Sequence, residues 1–200
     1  MGNNPSSLVL LGCGGHARSV ADVALFNDPH LTLVFVDENA REGETIWGFP
    51  VVKALPKGIN PVHFAVGSNL GRKTLAETYT AQSIISKKAH LGKNPSLGKG
   101  CFVAHQAYLG PDVRVGNATI LNTACVVEHE VSIGSFCHIA PHATICGRVT
   151  IGDCVWVGVG AIIKEGVAIC SNVTLGAGAV AIQNITEAGV YVGVPAKRLS

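Results

Sequence analysis

The segment with the clearest potential for chemistry places a histidine between two carboxylates, as Glu128-His129-Glu130. An imidazole exchanges protons near neutral pH, and a neighbouring carboxylate makes an imidazole a better base. His129 could therefore remove a proton from an attacking nucleophile, with Glu130 as its partner. The same pattern also fits a solvated corner without a catalytic role, and these three residues alone do not decide between the two interpretations.

A second candidate is a glycine-rich turn after the first apolar run of the chain, Gly12-Cys13-Gly14-Gly15-His16. Backbone N–H groups of such a turn, at the start of a helix, can hold a phosphate. The spacing does not complete the dinucleotide-binding fingerprint. Asp37 nevertheless lies 22 residues beyond Gly15, where an acidic side chain commonly contacts a ribose or a base. Nucleotide binding and a plain sharp turn both remain open.

Alternating strands and helices must position these residues in the first part of the chain. The apolar runs predict strands over residues 7–11, 31–36 and 63–66, and helices over residues 17–26 and 72–79. This order is typical of a small parallel α/β unit, whose ligands lie at the carboxyl ends of the strands.

A repeat governs the second part of the chain. From Ile85 to Val180 the sequence divides into 16 uninterrupted blocks of six residues, each beginning with Ile, Leu or Val. The fifth residue is Ala, Cys, Thr or Val in every block but one, where it is Pro95. A period of six fits neither an amphipathic strand nor a helix. It predicts a parallel β-helix in which the first and fifth residues fill the interior and Gly or Asn makes the corner.

Three blocks would form one triangular coil of 18 residues, so residues 18 apart should lie on neighbouring coils. His129 falls at a corner of its coil, and we expect its ring to point outward. Gly147 lies one coil further along the chain. Its backbone N–H could therefore face an oxyanion that develops beside His129.

Composition narrows the functional classes. Charged residues make up 14% of the 200 residues, and the net charge of +2 comes without a basic run, so nucleic acid is not an expected partner. No apolar run approaches about 18 residues, so no membrane helix is expected, and the absence of a signal peptide predicts a cytoplasmic protein. The seven cysteines form no C-x-x-C pair and are expected to be free thiols.

Motifs that run nearly from end to end give the chain a family resemblance. The chain resembles the hexapeptide-repeat sugar acyltransferases, namely the UDP-bacillosamine, GDP-perosamine and dTDP-4-amino-sugar N-acetyltransferases and the sialic-acid O-acetyltransferases. The motifs are Gly12-Cys13-Gly14-Gly15-His16-Ala17, Phe35-Val36-Asp37, Val66-Gly67-Ser68-Asn69, Leu121-Asn122-Thr123, His129-Glu130, His138-Ile139-Ala140-Pro141 and Gly193-Val194-Pro195-Ala196-Lys197.

The resemblance implies two domains and a homotrimer. Residues 1–82 would form an α/β domain with a small Rossmann-like parallel sheet that binds a nucleotide-linked amino sugar. Residues 83–200 would form an all-β left-handed parallel β-helix with a short C-terminal tail that binds acetyl-CoA. No metal is implied. The reaction would transfer acetyl from acetyl-CoA directly to the 4-amino group of the sugar, for bacterial glycan or O-antigen biosynthesis.

The resemblance also implies a role for particular residues. The general base would be His129, its supporting acid Glu130, and the oxyanion donor Gly147. The acetyl-CoA contacts would be His138, Val159 and Ala177. The nucleotide-sugar contacts would be Gly14, Gly15 and His16 near the diphosphate, Asp37 and Glu38 at the base or ribose, and Gly67, Ser68 and Asn69 in the pocket wall.

Three alternatives remain at this point. The same histidine and glutamate could serve a hydroxyl, as in an O-acetyltransferase acting on sialic acid or a related sugar. A non-catalytic sugar-nucleotide-binding scaffold would not require His129 and Glu130, yet both are present. A zinc-dependent hydratase would need three converging histidines. The spacing of His138 and His142 is unlike the ligand pair of that class, and no third histidine is evident. The sequence does not distinguish UDP, dTDP and GDP.

Overall fold

The computed structural model describes residues 7–55 and 61–199, and it begins with a small α/β domain. A five-stranded sheet has the order β3-β4-β2-β1-β5, and its pairs are parallel except for the hairpin β3–β4. The elements are β1 (Ser7–Leu11), α1 (Gly15–Asn27), β2 (Thr32–Val36), β3 (Thr45–Ile46), β4 (Phe49–Val52), β5 (Val62–Phe64) and α2 (Asn69–Ala76).

The expected strands and helices are present, although their bounds differ by up to three residues and one hairpin is additional. Helix α2 begins three residues before the predicted start, because the Ser68 hydroxyl accepts a hydrogen bond from the backbone N–H of Gly71 at 3.2 Å and caps the helix there. The hairpin β3–β4 was not predicted. Its two-residue turn, Trp47-Gly48, has φ values of 54° and 83°, as the tight turn between twisted antiparallel strands requires.

The second part is a three-sided β-helix built from short parallel strands. Face 1 contains β6 (Ile84–Ile85), β9 (Phe102–Val103), β12 (Ile120–Leu121), β15 (His138–Ile139), β18 (Trp156–Val157) and β21 (Val173–Leu175). Face 2 contains β7 (His90–Leu91), β10 (Tyr108–Leu109), β13 (Val126–Val127), β16 (Thr144–Ile145), β19 (Ile162–Ile163) and β22 (Val180–Ala181). Face 3 contains β8 (Ser96–Leu97), β11 (Arg114–Val115), β14 (Ser132–Ile133), β17 (Thr150–Ile151) and β20 (Ala168–Ile169).

Each strand pairs with the strand one coil away, in the predicted register of 18 residues; Val126 pairs with Thr144, and Thr144 with Ile162. After the last coil, β23 (Gly189–Val192) continues face 1 in parallel and β24 (Lys197–Arg198) adds an antiparallel edge. The expected fold class, an α/β domain followed by a left-handed parallel β-helix, is confirmed.

The interior of the β-helix contains the residues that the repeat predicts. First-position and fifth-position side chains form one buried cluster along the axis, including Cys101, Cys125 and Cys137. All seven cysteines are free thiols. Because aliphatic and small side chains alternate along each coil and fill its interior, the β-helix needs no large aromatic residues in its core.

The corners differ from the prediction that Gly or Asn makes them. The fourth residue of each block has a positive φ from Asn94 to Gly178, and most of these residues are neither Gly nor Asn; Phe136 and Arg148 are examples, at 59° and 58°. Glycine instead recurs at the second position, where a side chain would collide with the next coil. A Cβ added to Gly134 would lie 2.7 Å from the carbonyl carbon of Gly152. Close approach of the coils, and not turn geometry, explains these glycines.

The α/β domain covers face 1. Phe102 and Ile120 on this face share a buried cluster with Ala17 and Val20 of α1. The amide of Asn27, at the end of α1, donates to the carbonyl oxygen of Ile85 at 2.7 Å. Within the described ranges, no helix has the length and apolar character needed to cross a membrane.

Candidate active site

His129 and Glu130 lie together at the corner between faces 2 and 3, directly after β13. The Nδ1 atom of His129 is 3.1 Å from Oε2 of Glu130, and the two side chains are 42% and 57% exposed. Because a carboxylate can only accept, Nδ1 carries the hydrogen and the unprotonated Nε2 can accept a proton from a substrate. Glu130 occupies the left-handed corner position, with φ 59°, which turns its side chain beside that of His129.

Gly147 lies one coil further, directly under the ring of His129. A Cβ at this position would be 2.5 Å from both Cε1 and Nε2 of the ring, so only glycine leaves the ring where it is. The corner is fixed by the backbone N–H of Arg148, which donates to the carbonyl oxygen of His129 at 3.0 Å. Gly147 itself is buried, and its N–H has no hydrogen-bond acceptor among residues 7–55 and 61–199.

Val159 and Ala177 lie one above the other at a different corner, between faces 1 and 2. The backbone N–H of Gly178 donates to the carbonyl oxygen of Val159 at 2.8 Å and holds the two coils together. Val159 is 53% exposed, and Ala177 is also exposed. The corner of Val159 and the corner of His129 border the same face, face 2.

His138 lies on face 1 beneath the α/β domain and is only 5% exposed. Its Nδ1 is 3.3 Å from the carbonyl oxygen of Gly67 and its Nε2 is 3.1 Å from the amide nitrogen of Asn122. Nδ1 therefore donates and Nε2 accepts, which defines a neutral tautomer. Burial lowers the pKa of His138 to about 4. Of the three residues predicted to contact acetyl-CoA, two are exposed and His138 is not.

The α/β domain has a cleft of about 750 Å³ at the carboxyl ends of β1, β2 and β5. Three of the residues predicted to bind a nucleotide sugar line it, Asp37, Glu38 and Ser68. Gly14 caps helix α1 without a side chain, and Gly15 is the first helical residue. A Cβ on either glycine would meet nothing within 4 Å, so a ligand can approach this helix terminus.

Asp37 is held as a carboxylate by its neighbours. The backbone N–H of Asn39 donates to Oδ1 at 3.0 Å and the thiol of Cys13 donates to Oδ2 at 3.2 Å. These hydrogen bonds, that of Asn39 first, lower the pKa of Asp37. Burial, followed by the bond to Asp37, raises the pKa of the Cys13 thiol. A negative charge at the end of β2 is thus positioned to accept hydrogen bonds from a ligand.

The other predicted nucleotide-sugar residues face the β-helix rather than the cleft. The ring of His16 meets the ring of Phe102 edge-on, with centroids 5.2 Å apart, and burial lowers the pKa of His16 to about 3. The carbonyl oxygen of Gly67 and the amide oxygen of Asn69 both accept hydrogen bonds from Arg72. His16, Gly67 and Asn69 therefore lie at the junction of the two parts.

Sequence reasoning missed several residues of the cleft. Its lining also includes Lys53, which follows β4 beside Asp37, Leu70 on α2, and Tyr79 shortly after α2. Lys53 directly follows β4, so the only available signal was the end of a strand that the sequence did not predict. It brings a positive charge to the cleft.

Within one copy of the chain, the β-helix lies between the cleft and His129. The α/β domain reaches both corners that border face 1, through the contact of Asp22 with His105 and the contact of Arg72 with the carbonyl oxygen of Ala118. His129 lies at the third corner, between faces 2 and 3. In the described part of the chain, no group of three or more His, Cys, Asp or Glu side chains could hold a metal ion.

Both the α/β domain and the β-helix are similar to parts of known proteins. The family model of the PglD N-terminal domain matches residues 7–79. The acetyltransferase domain of PglB from Neisseria gonorrhoeae, also solved in complex with acetyl coenzyme A, is 29% identical over 98% of this chain and 100% of its own, with a TM-score of 0.90. A mutant of perosamine N-acetyltransferase from Caulobacter crescentus, in complex with CoA and GDP-perosamine, is 29% identical over 98% of this chain and 97% of its own, with a TM-score of 0.87.

WeeI from Acinetobacter baumannii AYE shares the fold, with a TM-score of 0.90 and 22% identity over 97% of this chain and 100% of its own. The predicted resemblance to sugar N-acetyltransferases that use acetyl-CoA is confirmed over nearly the whole chain.

Proposed function

We propose that this chain transfers an acetyl group from acetyl-CoA to the 4-amino group of a nucleotide-linked amino sugar, in the cytoplasm and for bacterial glycan biosynthesis. One observation carries the proposal. At one corner of a fold shared with solved sugar acetyltransferases lie an exposed histidine, a carboxylate on its Nδ1 and a backbone N–H. Among the described residues, neither Nε2 of the histidine nor this N–H has a hydrogen-bond partner. Each of these groups has a use in acyl transfer to an amine.

The proposed reaction is direct. The sugar amine attacks the thioester carbonyl carbon, and Nε2 of His129 takes the proton that the nitrogen loses as the C–N bond forms. The C–S bond then breaks, and the imidazolium returns the proton to the leaving CoA sulfur. Glu130 stabilises the imidazolium and keeps the hydrogen on Nδ1. General-base catalysis of this kind typically contributes about 10²–10⁴-fold.

Gly147 is the proposed oxyanion donor. Gly147 is buried beside the His129 ring, and no carbonyl of the described residues accepts a hydrogen bond from its N–H. A donor of this kind is worth about 3–4 kcal/mol to the transition state where such donors have been removed in other enzymes. The missing side chain also leaves space for the thioester to approach the ring.

The buried cysteines Cys125 and Cys137 do not support an acyl-cysteine intermediate. The side chains of Cys125 and Cys137 lie in the buried interior of the β-helix, and burial raises the pKa of each thiol to about 12. Thiolate is the nucleophilic form of cysteine, so both are unreactive at neutral pH. Direct transfer needs neither of them.

The α/β cleft is the proposed site of the nucleotide sugar. We assign the diphosphate to the N-terminus of α1 at Gly14 and Gly15, near His16. The base or ribose would bind Asp37 and Glu38. Gly67, Ser68 and Asn69 would form the adjoining wall, with the Ser68 region lining the cleft itself.

Acetyl-CoA is proposed to bind along the β-helix. Val159 and Ala177 offer an exposed apolar corner to its extended chain, and His138 would contribute only through the small exposed part of its ring. Because this corner and the His129 corner border the same face, the acetyl group could reach His129 from a CoA molecule bound against face 2.

We further propose that the active unit is a homotrimer in which the cleft of one copy serves His129 of another. The position of the cleft across the prism from His129 of its own chain supports this arrangement. In this proposal residues 1–82 hold the sugar nucleotide and residues 83–200 the acetyl donor; residues 1–6, 56–60 and 200 lie outside the described ranges.

A mixing experiment tests the shared site. A chain with Asp37→Arg and a chain with His129→Ala should each be nearly inactive alone. Mixed oligomers should regain transfer, because some sites then combine an intact cleft with an intact His129. If the two mutant chains form mixed oligomers that stay inactive, each site is built within one chain.

An acceptor panel tests the function itself. Acetyl-CoA consumption is measured with UDP-, dTDP- and GDP-linked 4-amino sugars and with analogues that carry a hydroxyl in place of the amine. We expect transfer to at least one amine and none to its hydroxyl analogue. Acetylation of sialic acid or of a hydroxyl analogue instead would identify an O-acetyltransferase, and nucleotide-sugar binding without any transfer would identify a scaffold.

A further inference from the structure

The arginine Arg72, on α2, is the largest fully buried side chain and is 1% exposed. Its guanidinium group donates to six oxygen atoms on two sides. On the α/β side they are the carbonyl oxygens of Val66 and Gly67 and Oδ1 of Asn69, at 3.1, 2.8 and 2.9 Å. On the β-helix side they are the carbonyl oxygens of Ala118, Phe136 and Cys137, at 2.8, 3.2 and 2.8 Å.

None of these six acceptors is a carboxylate, which is unusual for a buried charge. Burial lowers the pKa of Arg72 to about 10, so the side chain stays charged at neutral pH. Among the described residues, its hydrogen-bond partners are carbonyl dipoles, and the directions of these dipoles must therefore be maintained. A hydrophobic side chain could fill the same space but could not fix the positions of the carbonyl groups.

The acceptors on the α/β side belong to a wall of the cleft. Val66 and Ser68 line the cleft, and both lie in the loop between β5 and α2 that Arg72 holds. The carbonyl oxygen of Gly67 in the same loop also accepts the Nδ1 hydrogen of His138 from the β-helix. The loop is thus held at one carbonyl by two donors, and its position relative to Asp37 across the cleft depends on them.

We propose that Arg72 is a positioning residue for nucleotide-sugar binding, which clamps the loop from Val66 to Asn69 against the β-helix and so sets the width of the cleft. The inference rests on the proposed function for the identity of the ligand. It assigns a binding role to a side chain that does not itself line the cleft.

The test uses the full chain with Arg72→Ala, Arg72→Lys and, as a matched control, Arg41→Ala. The Arg41 side chain is 85% exposed and pairs only with Glu44 among the described residues. Affinities for UDP, dTDP, GDP and CoA are measured by calorimetry, with thermal unfolding in parallel. We expect Arg72→Ala to bind the preferred nucleoside diphosphate about 10- to 100-fold more weakly, the range expected when a binding wall shifts by about 1 Å, with CoA affinity unchanged.

Guanidinium rescue separates positioning from a general loss of structure. Millimolar guanidinium chloride should enter the space left in Arg72→Ala, meet the same carbonyl groups and restore nucleotide affinity, whereas sodium chloride at equal ionic strength should not. Arg72→Lys keeps the positive charge but loses the planar guanidinium group with its several N–H donors, so this variant should also bind nucleotide more weakly.

The outcomes distinguish this inference from the proposed function. If the wild type binds none of the nucleotides, the proposed function fails. If the wild type binds one of them and Arg72→Lys binds it equally well, the clamp has no role in binding and the inference is overturned. That result decides the question even if Arg72→Ala does not fold. Equal weakening of nucleotide and CoA binding, without guanidinium rescue, would likewise overturn it.

Discussion

Replacing Gly147 by alanine would place a methyl group against the ring of His129. The added Cβ would lie 2.5 Å from Cε1 and Nε2, whereas ordinary van der Waals contacts are 3.4–4 Å. The backbone can adjust little, because the N–H of Arg148 donates to the carbonyl oxygen of His129 and fixes the spacing of the two coils. The His129 side chain is 42% exposed within one chain, so the ring is the part that moves.

The size of this displacement predicts the kinetic effect. Nε2 must shift outward by about 1 Å, and a misplacement of that size can reduce a rate by about 10²-fold, or about 2.7 kcal/mol in activation free energy. Because the ring is 42% exposed, its movement creates no buried cavity, and the free energy of unfolding should change little.

The assay is acetyl transfer at saturating substrates, combined with a double-mutant cycle. Gly147→Ala should lower kcat by about two orders of magnitude. The double mutant with His129→Ala should be no slower than His129→Ala alone, because the methyl group acts through the ring. Cys146→Ala, a change in the preceding residue, is the matched control and should retain kcat.

Two results would refute this reasoning. An unchanged kcat in Gly147→Ala would show that the position of the His129 ring does not limit the reaction. Independent, additive losses in the double mutant would show that Gly147 acts without His129, leaving the proposed geometry without support.

Two further predictions concern stability and the nucleophile. Burial lowers the pKa of His63 from 6.5 to about 4, so the unfolded chain binds a proton more readily and acid destabilises the fold. Urea unfolding should show that wild type loses about 2 kcal/mol more than His63→Asn between about pH 7.5 and about pH 5, and equal losses would contradict the assignment. Cys125→Ala should retain near-normal transfer, and an acetylated Cys125 in mass spectra would overturn the direct mechanism.

The repeat made the β-helix predictable because its geometry constrains every coil in the same way. Each coil must present an aliphatic residue and a small residue to the axis, so the positions of Val127 and Cys125 could be assigned before the structure was known. The alignment of His129 over Gly147 followed from the same period. The period did not predict the contact between the His129 ring and the Gly147 backbone, because it fixes neither the orientation of a ring nor the direction of an N–H.

The corners and the hairpin were less predictable. A positive φ usually favours Gly or Asn, yet the closed coil imposes it on Phe136 and Arg148. The conformational strain at these residues is offset by the backbone hydrogen bonds of the strands before and after each corner. The strands of the hairpin, such as Thr45–Ile46, are too short to show alternation. Lys53 was therefore missed in the cleft.

The burial of His138 could not be predicted from the repeat. All three faces have the same period, so the sequence does not show that the α/β domain covers face 1. The burial of His138 and the clamp at Arg72 both result from that docking. Long-range contacts of this kind have no local signal in the chain.

The most direct test of the account is the comparison of wild type with His129→Ala in acetyl transfer to a nucleotide-linked 4-amino sugar, with acetyl-CoA affinity measured on the same preparations. Removal of the general base should lower turnover by about 10²–10⁴-fold while the affinity for acetyl-CoA stays unchanged. Near-normal turnover in His129→Ala would contradict the central claim that this histidine accepts the proton of the attacking amine.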